Sequence, residues 1–101
     1  SNKALKPALK ALKKRAEDPF SQVAQVVYLY LKDRFVLASK HLDPLSVNQA
    51  LIGIVKTKAL ANLVDLLKLC DAGRYGPEAA DTEETLIEDA KNILHKVDSS
   101  K

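Results

Sequence analysis

Histidine occurs twice and cysteine once in this chain of 101 residues. His41 and His95 lie far apart, and neither has a second His, Cys or acidic neighbour at evident ligand spacing, so a metal site is not expected. Glu88 and His95 can share a helical face two turns apart, which an exposed charged face explains equally well. The lone Cys70 cannot form an internal disulfide and suits a reducing compartment. Gly73 and Gly76 are not followed by Lys-Ser or Lys-Thr, so the phosphate-loop pattern is missing. No apolar run approaches the roughly 18 residues of a membrane span. No nucleophile, base and acid stand in a defensible set, and neither an enzyme nor a cofactor is expected. Methionine is absent altogether. Ser1-Asn2 reads as a tag remnant and residues 3–101 as one helical domain excised from a larger protein.

What is present suits one modest core. The chain is 47% hydrophobic and 29% charged, near the globular average. Its net charge of +3 hides an asymmetry. Residues 1–15 carry Lys3, Lys6, Lys10, Lys13, Lys14 and Arg15 with no acid, whereas 78–89 carry Glu78, Asp81, Glu83, Glu84, Glu88 and Asp89 with no base.

Hydrophobic spacing predicts five helices, an all-α bundle with short connections. The first, a basic helix over 3–17, puts Leu5, Ala8, Leu9, Leu12 and Ala16 on one stripe, with Pro7 in its first turn. Asp18-Pro19 ends it and caps the second, where Phe20, Val23, Ala24, Val27, Leu31 and Phe35 follow 3-4 spacing and Val26 and Tyr30 add a second strip. So broad an apolar surface predicts a central position. Asp43-Pro44 reads as a turn within a connection. Ser46 to Gln49 has a capping-box pattern, with Leu45 and Ala50 at staple positions, and predicts a short helix over 47–55. Thr57 is expected to cap the fourth helix, lined by Leu60, Leu63, Val64, Leu67 and Cys70. Asp81 and Glu84 open the fifth, whose stripe is Leu86, Ile87, Ala90, Ile93, Leu94 and Val97.

Two surfaces are candidates for function. The lysine-rich first segment reads as a solvated face, as a collar on an anionic leaflet, or as a nucleic-acid patch that lacks the stacking aromatics a base reader needs. In "CDAGRYGP", Gly73 fits the left-handed position past a helix end and Gly76-Pro77 stops the helix resuming. That leaves Arg74 and Tyr75. Either Tyr75 folds onto the core while Arg74 bonds free carbonyls, or the pair anchors a partner, both being interface-enriched types.

Three stretches carry a family resemblance. "FSQVAQVVYLYLKDRF" is similar to an aromatic-bearing helix, "LDPLSVNQA" to a proline turn leading into a short helix, and "LLKLCDAGRYGP" to a Leu-Leu…Cys-Glu-x-Ala-Arg-Tyr-Ala-Pro signature. In these the chain resembles the C-terminal cytoplasmic domain of BatD-type proteins of the bacterial aerotolerance (oxygen tolerance) family. Cys70, Arg74, Tyr75 and Pro77 fall on matching positions; Asp71, Gly73 and Gly76 depart from it. The resemblance implies a non-enzymatic interaction module on the cytoplasmic face of the inner membrane, the tail of a single-span protein. Its implied partners are von Willebrand A-domain proteins or a MoxR-type AAA+ ATPase. A basic first helix agrees with the positive-inside rule. The alternative is a soluble nucleic-acid-binding helical domain using the same lysines.

Overall fold

Two copies of one tetrapeptide pattern, Asp-Pro-x-Ser, start two of the helices. In the computed structural model, which describes residues 4–14, 17–35, 37, 42–73 and 82–100, the elements are α1 (Leu5–Leu12), α2 (Pro19–Phe35), α3 (Pro44–Leu51), α4 (Thr57–Ala72) and α5 (Thr82–Ser100). The domain is all-α, as the spacing predicts. At α2, Asp18 accepts the Ser21 amide at 3.2 Å with Pro19 as first helical residue. At α3, Asp43 accepts the Ser46 amide at 2.7 Å, and Ser46 Oγ accepts the Asp43 amide at 3.0 Å. Proline fits the first position because that amide has no intrahelical acceptor.

That geometry corrects the expectation at α3. Ser46 is the third helical residue rather than the cap, Asp43-Pro44 opens the helix rather than turning a connection, and Leu45 is 66% exposed rather than a staple. The helix also stops early, at Leu51 instead of Val55. Gly53 takes φ +84°, and the Ile54 and Val55 amides both donate to the Leu51 carbonyl, closing a tight turn. Thr57 is likewise displaced: Lys56 is the capping residue of α4, without a side-chain cap. The far end of α4 matches expectation. Gly73, at φ +74°, donates to the Leu69 and Cys70 carbonyls. Asp81, expected to open α5, lies outside the described residues.

The basic helix is shorter than 3–17. α1 ends at Leu12 because α2 finishes it: Gln22 Nε2 donates to the carbonyls of Ala11 (3.0 Å) and Lys14 (2.8 Å). Helix-terminal carbonyls need partners, and one amide from the next helix serves Ala11 in the last turn as well as Lys14 just beyond it.

α2, α4 and α5 pack against one another; α1 lies on α2 and α5, and α3 on α4. Val27, Leu31, Leu63, Leu67, Leu86, Ala90, Leu94 and Val97 are sealed from solvent at the centre. Among the described residues no charged residue is buried as a whole, and no buried side-chain polar atom lacks a partner. The Cα radius of gyration, 12.8 Å, is that of a compact domain of this length.

Helix directions bring several ends together. Arg34 in the last turn of α2 pairs with Asp98 in the last turns of α5. Lys56, Lys58 and Asn62 at the start of α4 share a hollow with Lys96, Ser99 and Ser100 of α5. Ala4 and Pro7 at the start of α1 face Tyr30 and Asp33 of α2. The 52–55 turn, running directly into α4, belongs to this same end.

Candidate docking surfaces

Opposite its buried Leu5, Ala8 and Leu12, α1 presents Lys6 and Lys10, and the exposed Lys13 and Lys14 follow directly. Helical periodicity explains the separation, since residues i, i+4, i+7 and i+8 share a side. No acid stands between residues 4 and 14, so the face is uniformly cationic. Lys3 and Arg15, expected to extend it, lie outside the described residues, as do Arg74 and Tyr75. The structure therefore brings together four of the eight residues singled out from sequence.

Sequence reasoning missed a network joining α2 to α5. Tyr30 Oη donates to Asp98 Oδ1 at 2.7 Å, and Arg34 Nε donates to the same oxygen at 2.9 Å. The Arg34 guanidinium also lies 5.6 Å from the centroid of the Phe35 ring. The signal was present, since Tyr30 and Arg34 are four residues apart and Asp98 is four beyond the core residue Leu94. Burial by itself pushes the Asp98 carboxyl up, but the Tyr30 hydroxyl and Arg34 outweigh it and hold it below the ordinary aspartate value. Tyr30 moves far upward, through burial first and then through Asp98. An ionised acid and a protonated phenol are the resting forms, neither suited to donating or accepting a proton in catalysis near neutrality. The cluster fixes the register of two helices.

Burial pushes the Cys70 thiol up to about 11, with Asp71 and then Asp18 adding to it. This matches a small buried hydrophobe rather than a reactive group. Near pH 8 its thiolate fraction is therefore far below that of an ordinary cysteine. Ellman's reagent is expected to modify the native protein at least about 100-fold more slowly than the guanidinium-unfolded chain. Equal rates would place the thiol at the surface.

Two further grooves among the described residues flank the core. One of about 360 Å³ runs between α4 and α5, lined by Asp65, Asp89, Asn62, Asn92, Ile93 and Lys96 among others. It is open and mixed in polarity. The other, about 230 Å³ and mainly apolar, lies between α1 and α2 beside Leu29, which is 63% exposed. Among the described residues no three His, Cys, Asp or Glu side chains gather as metal ligands, and no helix is long and apolar enough to cross a membrane. No protein-family model, curated protein or solved structure matches the chain.

Proposed function

We propose that this domain is a non-enzymatic docking module, the cytoplasmic tail of a BatD-type membrane-anchored protein, held against an anionic membrane surface while it engages protein partners. One observation carries the membrane contact: Lys6, Lys10, Lys13 and Lys14 are all exposed on the side of the first segment turned from the core, with no acid among them. Each lysine close to an anionic leaflet contributes about 1 kcal/mol, so four together favour binding by a factor of roughly 1,000. The partners implied by the resemblance, von Willebrand A-domain proteins or a MoxR-type ATPase, belong to the same reading.

Vesicle flotation tests it. The protein is expected to float with vesicles of phosphatidylcholine containing about 30% phosphatidylserine and not with phosphatidylcholine alone. K6E/K10E/K13E/K14E is expected to lower partitioning at least about 100-fold. Retention of duplex DNA at physiological salt, without vesicle binding, would transfer the lysines to the nucleic-acid reading.

A further inference from the structure

Four large apolar side chains are exposed among the described residues, and two of them, Ile52 (68%) and Ile54 (48%), flank the positive-φ Gly53 in the turn between α3 and α4. The turn is a fixed object. Its amides are bonded to Leu51, and Leu51 and Val55 on either side are buried, so the isoleucines are held outward by packing behind them. A third exposed residue, Leu45, lies in the first turn of α3, the helix that runs into this turn.

The charge carried by the turn itself and by the chain on either side of it is of one sign. Between Asp43 and Asp65 the sequence holds no acid, and its bases are Lys56 and Lys58, both exposed directly after the turn. Lys96 of α5 shares their hollow. The acids described at this end are Asp33 and Asp98, and Asp98 is engaged by Arg34 and Tyr30. Exposed acids such as Glu17, Asp18 and Asp71 belong to the other end, where α1 passes into α2 and α4 finishes.

We infer that the 52–55 turn is a membrane-inserting tip, which sinks Ile52 and Ile54 into the acyl boundary of an anionic phospholipid bilayer while Lys56, Lys58 and Lys96 meet the headgroups. Apolar residues backed by lysines bind an interface through buried area plus electrostatic attraction, the combination present here. A symmetric pairing of two copies through this face would set Lys56 and Lys58 against their own counterparts, which disfavours that occupant. The inference rests on the reading of a membrane-docked domain and deepens it by naming the end of the bundle that faces the lipid. Lys6, in the first turns of α1, stands towards that end as well.

The chain has no tryptophan, which permits a direct probe. In I54W, emission is expected to shift to the blue and be quenched by brominated acyl chains on adding phosphatidylserine-containing vesicles; in Q25W, placed on the exposed side of α2 away from the turn, neither is expected. I52E/I54E and K56E/K58E are each expected to reduce partitioning at least about tenfold, while the lysine face of α1 keeps its separate contribution. All altered residues are exposed, and thermal melts would verify that each variant folds.

Wild-type-like binding by I52E/I54E, with no blue shift in I54W, would overturn the insertion while leaving lysine-mediated docking intact. Absence of vesicle binding by the unaltered protein would overturn both readings. A lipid-free dimer abolished by I52E/I54E would assign the face to a second copy instead.

Discussion

Leu63→Ala is expected to lower the unfolding free energy by about 3 kcal/mol, within the range of roughly 2–5 for a buried leucine. Leu63 is fully buried on α4, the helix that touches α2, α3 and α5 together. Truncation there removes one methine and two methyl carbons and leaves a space at the centre of the bundle that packed helices close only in part. The cavity term therefore adds to the lost transfer energy. For a domain of this length, 3 kcal/mol corresponds to a fall in Tm of roughly 10–20 °C. Guanidinium melts with an unchanged m-value would assign the loss to the native state. A change below about 1 kcal/mol would mean that the site relaxes, and that the core is less tightly built than its burial indicates.

Asp98→Ala is expected to destabilise by about 2–4 kcal/mol, a large effect for a residue near the end of a helix. One oxygen of Asp98 satisfies both the Tyr30 hydroxyl and Arg34 Nε, and the Arg34 and Asp98 side chains are only 15% and 8% exposed. Removing it strands a buried phenol and a mostly buried cation together. Tyr30→Phe deletes one bond while the ion pair survives, so about 1 kcal/mol is expected. Low accessibility makes this pair worth more than an exposed surface bridge.

The same carboxylate sets an acid dependence whose sign is fixed. Its folded-state pKa lies below the ordinary value of 3.8, so the unfolded chain takes up the proton first as pH falls. The stabilisation is complete above 3.8 and is lost as pH drops through the lower, folded-state value. The stability gap between the wild type and Asp98→Asn is therefore expected to narrow only on the acid side of that point. A gap that is constant with pH would show that Asp98 acts by shape and hydrogen bonding without its charge.

Most of the architecture was legible in the residues, because helical spacing is a dense signal. Leu86, Ala90, Leu94 and Val97 carry it through three successive steps and are all sealed from solvent. Gly73 was legible for a different reason, since its positive φ is one that a Cβ disfavours. The failures cluster where two local signals compete. Asp43-Pro44 resembles a turn and Ser46 a cap, whereas the same Asp-Pro-x-Ser pattern at Asp18 marks a helix start. In both places the aspartate caps and the serine follows three residues later. The apolar run through Val55 extends the expected third helix too far, because Gly53 reverses the chain and turns two isoleucines outward. The lysine face was legible from periodicity alone. The tip at 52–55 was not, because an exposed isoleucine and a buried one look alike until neighbours are in place. The Tyr30–Asp98–Arg34 cluster depends on two distant helices meeting, which spacing within either helix does not report.

That cluster also orders events during synthesis. Asp98 reaches partners 68 and 64 positions earlier in the chain, so the bonds close a loop spanning α3 and α4. Loop closure on that scale is slow to be rewarded, because its entropy is lost before the contact forms. A nascent chain holding α1 to α4 outside the ribosome still shows water the strip that Leu86, Ala90, Leu94 and Val97 will cover, and Tyr30 and Arg34 wait without their acid. The last turns of α5 act as a latch, and this domain stays exposed to proteases and chaperones until they emerge.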